Sequence, residues 1–278
     1  MRKIKVERIG EKIKELVFEA NFNLPKPVKK LLQDARGKAV GRERWVIESI
    51  LENASIARKE KIPLCQDTGL PLVFLDIGQE IGFIGGSIEK AVWKGIRQGY
   101  RQGYLRRSVV LHPLKREKTD FAPAPVHQRI VPGGKLKFTL MIKGFGSENV
   151  SHTAMLQPTS RVSDIEKLVV ELVKEKGANC CPPLFIGVGI GGSLEQAVLI
   201  SKTILINRLG KVTREKLFRN LEKSILKSVN KLDIGAVAWG GRFTALAVKA
   251  GHSPTHIAGL PVAVSLSCHS LRWARAEI

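Results

Sequence analysis

Cys65, Gln66 and Asp67 place a thiol, a carboxamide and a carboxylate on three consecutive residues, inside Ile62-Pro63-Leu64-Cys65-Gln66-Asp67-Thr68-Gly69-Leu70-Pro71. The flanking prolines restrict the backbone. Core packing does not account for such a segment, because Gln66 and Asp67 are costly to bury without partners. Two further cysteine stretches, Cys180-Cys181-Pro182-Pro183 and Cys268, lie far away in the sequence on turn-like segments. Their spacing excludes zinc fingers and ferredoxin-type runs, whose ligands come in tight pairs. Three widely separated loop cysteines suggest instead an iron–sulfur cluster held by three protein thiolates. A [4Fe–4S] cube has four irons, so one is left for water or substrate and acts there as a Lewis acid. Buried, inert cysteines are the alternative reading.

The elements that must position these loops belong to an ordinary folded protein. The chain has 278 residues, of which 44% are hydrophobic, enough for a large core in one domain or two. No apolar run approaches the length of a membrane-spanning helix, and Met1 to Glu7 leads directly into an amphipathic pattern rather than a secretory signal. A cytoplasmic protein is expected. Four cysteines, two of them adjacent, do not make a secreted disulfide framework, so metal or redox chemistry in a reducing compartment is the expectation.

Lys and Arg number 46 against 25 Asp and Glu, a formal net charge of +21. The basic residues are spread over the helices and mixed with Glu, and no nucleic-acid-binding motif is present, so no nucleic-acid partner is expected. Solvated helix faces account for most of the excess, in a Lys/Glu-rich, Met-poor composition that also suits a hot environment. A positive field would in addition favour an acidic small-molecule substrate.

Along the chain, Val6, Ile9, Ile13, Leu16, Val17 and Ala20 have helical spacing, and two more helices precede residue 60. These first 60 residues read as a helical arm or a docking surface. Leu72–Ile77 reads as a buried strand, and Gly85-Gly86-Ser87 opens a helix. Val126–Val131 and Lys135–Lys143 flank Pro132-Gly133-Gly134, which predicts a hairpin, and a glycine-rich loop follows to Asn149. Ser163/Glu166 and Ser193/Gln196 predict capping boxes for two helices. Without an internal repeat or a linker, the simplest partition is one mixed α/β domain over residues 1–278. Gly187-x-Gly189-x-x-Gly192 matches the dinucleotide-binding pattern, but residues 197–212 hold no Asp or Glu for a ribose, which argues against a nicotinamide cofactor.

Ile62–Pro71, Lys143–Asn149, Asn179–Gly192 and Thr255–Cys268 resemble the signature stretches of the class I iron–sulfur fumarases and the related L-tartrate dehydratases. The similarity covers nearly the whole chain, and Cys-Gln-Asp-Thr-Gly with Cys-Pro-Pro is a specific pair. In that family one long polypeptide or two subunits make the enzyme, and this chain matches the α-subunit part. The resemblance implies Cys65, Cys181 and Cys268 as ligands of a [4Fe–4S] cluster, with Cys180 a bystander. It also implies Gln66, Arg106 and Gly146 as substrate contacts, and Asp67 and His256 as catalytic groups. Arg106 would bind a substrate carboxylate as a planar bidentate donor. Phe145 stands where the family commonly has a third glycine, so its side chain has to point away from a close-approaching substrate. His112, His127, His152 and His252 read as surface or loop residues, and His269 as a possible hydrogen-bonding neighbour of the cluster.

The expected function is therefore that of the cluster-carrying α-subunit of fumarate hydratase, completed by a β-subunit that supplies the base and further cationic contacts for a dicarboxylate. An L-tartrate dehydratase is the alternative within the family, and a basic iron–sulfur protein without catalysis is the alternative outside it.

Overall fold

In the computed structural model, residues 2–278 are described. The architecture is mixed α/β, and the chain forms two compact units, each drawn from separate stretches. The first takes the chain up to Pro25, Asn53–Gly144 and Arg272–Ile278; the second takes Lys26–Glu52 and Phe145–Leu271. One of these crossings falls inside a helix, Gly41–Glu60, and another at Gly144/Phe145, within the glycine-rich stretch that follows Lys143.

In chain order the elements are β1 (Arg2–Lys5), α1 (Val6–Phe22), α2 (Lys26–Arg36), α3 (Gly41–Glu60), β2 (Leu70–Gly78), β3 (Ile81–Ile84) and α4 (Ile88–Gln102). Then come β4 (Val109–Val110), β5 (Thr119–Asp120), β6 (Val126–Val131), β7 (Leu136–Lys143), α5 (Phe145–Glu148), β8 (His152–Leu156) and α6 (Val162–Lys176). The last are β9 (Leu184–Gly191), α7 (Leu194–Arg208), α8 (Lys216–Asn230), β10 (Ala245–Ser253), β11 (Leu260–Ser267) and β12 (Arg272–Glu277).

The first unit is built on a four-stranded sheet of order β12-β7-β2-β6. Pairing β2 parallel to β6 and antiparallel to β7 puts it between the two strands expected to form a hairpin. Their Pro-Gly-Gly connection instead wraps the end of β2, where Gly78 N–H donates to Lys135 O and Gln79 N–H to Val131 O. The apolar stripe of α1 is buried in this unit's core, with Ile9, Ile13, Val17 and Ala20 fully covered, so α1 is part of the core and not an arm. It packs on α4 through two glycines: a Cβ on Gly95 would stand 2.2 Å from the Gly10 carbonyl oxygen. Only residues without side chains let two helix backbones come this close.

The second unit has a sheet of order β10-β9-β11-β8, with β9 parallel to β10 and antiparallel to β11. Every residue of β9 is buried, as a central strand covered on both faces requires. Gly187 and Gly189 face α7, where a Cβ would lie 1.9 Å from the carbonyl oxygens of Ser201 and Ala197 respectively. The glycine pattern thus serves helix-on-strand packing, and it needs no dinucleotide to explain it. The capping box at Ser193 is present, with Ser193 N–H donating to Gln196 Oε1 at 3.1 Å. The one at Ser163 is not. Helix α6 starts two residues earlier, capped by Asp164 on the Arg161 N–H, and Glu166 instead accepts from Ser224 (2.5 Å) and Ser228 (2.6 Å) on α8.

Two outcomes follow from this packing. Gly189→Ala should cost on the order of 3 kcal/mol through overpacking, read as a lowered urea midpoint. The Ser224 and Ser228 hydroxyls hold Glu166 below its usual value of 4.5. Its bonds therefore stabilise the fold above that value, and the contribution is lost as pH falls through the lowered one. A Ser224→Ala/Ser228→Ala variant should melt below the parent at pH 7, and the gap should close as the pH falls below 4.5 and through the lowered value.

Candidate active site

The segment Cys65–Gly69 runs into β2, and its backbone is held from beneath. The Tyr100 hydroxyl, on α4, donates to the Thr68 carbonyl at 2.8 Å and lies 3.2 Å from the Gly69 carbonyl. The Arg272 guanidinium, at the start of β12, donates from Nη2 to the Asp67 carbonyl at 2.8 Å. Thr68, itself buried, accepts the Arg106 N–H on Oγ1 at 3.0 Å. With its carbonyls turned inward, the segment leaves Gln66 exposed and Cys65 and Asp67 half-exposed. Gly69 N–H donates to Asp67 Oδ1 at 2.9 Å, which fixes the carboxylate plane. The Arg106 side chain is exposed, and its Nη1 reaches the Gln66 carbonyl at 3.4 Å. Gly144 lies beside Asp67.

Arg272 is only 2% exposed, and among the described residues its Nε and Nη1 have no hydrogen-bond partner. Tyr100 is 1% exposed, and burial pushes its hydroxyl far above the usual tyrosine range, the nearby Arg272 charge acting in the opposite sense. Tyr100 is thus a neutral donor at any physiological pH.

In the second unit, sheet register sets the other cysteines side by side. Ser267, the last residue of β11, pairs with Phe185 near the start of β9, so Cys268 and Cys181 emerge at the same sheet end. His269 N–H donates to the Cys181 carbonyl at 3.3 Å, and His269 Nδ1 is 3.0 Å from the same oxygen. Cys181 has φ +50° and is exposed, Cys268 is half-buried, and Cys180 is buried in the core. Gly146 belongs to the same end, 3.8 Å separating the position of its would-be Cβ from the Asn179 carbonyl oxygen. It sits in the one-turn helix α5 rather than in an open loop, with Phe145 47% exposed.

His256 stands elsewhere. It lies in the turn between β10 and β11, tied to the far end of β9 by the Thr255 hydroxyl, which donates to the Gly192 carbonyl at 2.9 Å. The eight residues of β9 separate it from Cys181 and Cys268 by about 25 Å of strand. Within the second unit the imidazole beside the Cys181 carbonyl is that of His269, with His256 at the other end of β9. His112, His127 and His252 are engaged locally: His112 Nδ1 accepts the Leu114 and Lys115 N–H groups, His127 stacks on Phe74, and His252 stacks on Phe218. Among the described residues, no three His, Cys, Asp or Glu side chains stand together as a metal-binding group.

A family model described as "Fumarate hydratase (Fumerase)" matches residues 10–277. The chain belongs to this family. It is similar to the "Putative L(+)-tartrate dehydratase subunit alpha" of Methanocaldococcus jannaschii, with 37% identity covering 98% of each chain. It is also similar to "Fumarate hydratase 2" of Leishmania major, 32% identical over 87% of this chain and 44% of that one. With the anaerobic class I fumarate hydratase of Escherichia coli K12 it shares 29% identity over 99% of this chain and 53% of the relative. The chain thus spans about half the length of these fumarate hydratases.

Within this hydro-lyase family fold, Arg272 and Tyr100 are the site residues that sequence reading missed. Each looks ordinary in sequence, since neither lies in a signature stretch and Arg272 falls in a strand, β12, that carries no alternating pattern of note. Tyr100→Phe should leave the Thr68 and Gly69 carbonyls short of a donor and cost about 1–3 kcal/mol. Urea unfolding measures the cost, and faster labelling of Cys65 by a thiol reagent in the folded protein would report the loosened segment.

Proposed function

We propose that the chain is the cluster-bearing α-subunit of a two-subunit hydro-lyase that interconverts fumarate and malate. The observation that carries this reading is the Cys65-Gln66-Asp67 segment, whose side chains reach solvent while Arg272 and Tyr100 hold its carbonyls. Core packing does not require three such side chains in that posture, whereas binding a cluster and a polar substrate does.

Cys65, Cys181 and Cys268 would hold a [4Fe–4S] cluster. Their thiols suit it: none is in a disulfide and all are at least partly accessible, in contrast to buried Cys180. When bound, a cluster with three thiolates supplies one iron as a Lewis acid for the substrate hydroxyl. Arg106 binds one substrate carboxylate through its planar guanidinium. Gln66 and Asp67 orient the substrate, Asp67 through a carboxylate whose plane is fixed by the Gly69 N–H. Gly146 offers backbone to the substrate from the Cys181 end of its sheet. The remaining cationic contacts and the base for the carbon-bound proton come from a β-subunit. His256, the second catalytic group that the resemblance implies, lies in the turn at the end of β9 away from Cys181. No described helix is long and apolar enough to cross a membrane, and a reducing cytoplasm suits four cysteines that form no disulfide.

A second reading is an L-tartrate dehydratase, favoured by the similarity to relatives named as tartrate dehydratase α-subunits in M. jannaschii and E. coli. Parallel assays with malate and L-tartrate on the assembled enzyme separate the two.

Anaerobic reconstitution should give about four irons per chain and far fewer in Cys65→Ser, measured with acid-labile sulfide. No iron uptake by the parent would overturn the cluster assignment. In the assembled enzyme, Arg106→Ala should raise KM by about tenfold or more, with a smaller effect on kcat; an unchanged KM would remove Arg106 from the substrate site.

A further inference from the structure

Trp45, on α3, and Trp239, in the segment between α8 and β10, stack with ring planes 1° apart and centroids 6.3 Å apart. They remain 60% and 56% exposed. Indoles are usually well covered and carry a large apolar area, so a parallel pair left in solvent is an unfilled contact rather than a piece of core.

The platform beneath them is rigid. Glu43, 8% exposed, accepts the Phe243 N–H at 2.8 Å, joining α3 to the Trp239 segment. Thr244 Oγ1 accepts the Ile234 and Gly235 N–H groups, and Asp233 Oδ1 accepts that of Gly241 at 3.0 Å. Val237 and Ala238 have φ of +47° and +62°, a region that a β-branched residue seldom enters, so the segment is held under backbone strain. Its apex is tied to the cysteine segment, because Val237 N–H donates to the Pro182 carbonyl at 2.8 Å, one residue beyond Cys181. Rigid aromatic anchors of this kind lose little entropy on binding and commonly dominate an interface.

We propose that the Trp45–Trp239 pair is the docking platform for the β-subunit, meaning the protein that corresponds to the second half of the class I fumarate hydratases. This rests on the two-subunit reading above. The occupant follows from two observations. The chain accounts for about half of those relatives, yet for 98% of a relative named as an α-subunit. The surroundings are basic, with Arg42 just before Trp45 and Arg242 just after Trp239 both exposed, and Arg44 paired with Glu48 at 3.0 Å, in a chain of net charge +21. Two like-charged copies would repel across such a surface, whereas a partner with an apolar slot and an acidic rim would be drawn to it. Docking there would bear directly on the backbone that carries Cys181.

The test uses the host's own protein matching the second half of the class I fumarate hydratases, purified separately and titrated calorimetrically into the reconstituted chain. Trp45→Ser and Trp239→Ser should each weaken binding at least tenfold, and Trp239→Phe, which keeps a stacking ring, by less. Circular dichroism melts and iron content should match the parent, since both indoles are exposed. An Arg42→Glu/Arg242→Glu variant should weaken binding further and flatten its salt dependence. Equal affinity of parent and Ser variants would overturn the platform and leave the two-subunit reading standing. No binding by the parent would overturn both. Loss of a self-associated form in the Ser variants, with β-subunit affinity unchanged, would assign the platform to a second copy and overturn the proposal.

Discussion

A main chain that turns its carbonyls inward must find donors there, and for the Cys65–Gly69 segment those donors are the buried groups of Arg272 and Tyr100. Sheet register delivers the first of them. Arg272 pairs with Ile142 on β7, and Ile142 pairs with Pro71 on β2, so the guanidinium lies in the row of the sheet from which the segment departs. Helix α4 delivers the second, and the close approach of α4 to α1 across Gly10 and Gly95 fixes how near Tyr100 comes. Burying a guanidinium is expensive. The first unit accepts that cost at the segment where side chains have to face outward, which is where a local conflict with stability is expected in a functional protein.

The second unit solves the same problem without a buried charge. The Cys181 carbonyl is bound by His269, and the Pro182 carbonyl by the Val237 N–H. Antiparallel pairing of β9 with β11 brings the two cysteine segments to one sheet end, and the left-handed turn at Cys181 exposes its side chain while Cys180 stays in the core. Adjacent cysteines with opposite burial are what a turn between a short helix and a strand produces. The exposed thiol and its buried neighbour are distinguished by backbone direction, not by chemistry.

Much of this was legible in the sequence, and the failures have physical causes. The helical stripe of α1, the helix opened at Ser87, the buried strand at Leu72–Ile77 and the Ser193 capping box follow from local periodicity and turn chemistry. The Val126–Lys143 hairpin failed because pairing partners are chosen by the whole sheet, and β2 competes successfully for both edges. The arm failed because an amphipathic stripe reveals that a helix is buried but not against what. Glu166 was assigned to a cap, yet two serines on a helix more than fifty residues away hold it. Arg272 could not be found by pattern at all, since its role exists only once three strands are in register.

The charge imbalance also changes meaning with the fold. Several carboxylates are turned to internal use: Glu43 binds the Phe243 N–H, Glu222 binds Lys249 and the Ala250 N–H, and Glu166 binds two serines. Of these, Glu43 and Glu222 are almost wholly covered. Lys249 offsets one of them, Lys143 and Arg272 are covered as well, and most other basic side chains lie in solvent. The potential felt outside therefore keeps the sign and most of the size of the formal charge. Such a field speeds the approach of a small polyanion and of an acidic protein surface alike, and it does so without selecting between them. In the proposed enzyme, selection comes from short-range geometry: a planar guanidinium beside Gln66 for the substrate, a stacked pair of indoles for the β-subunit.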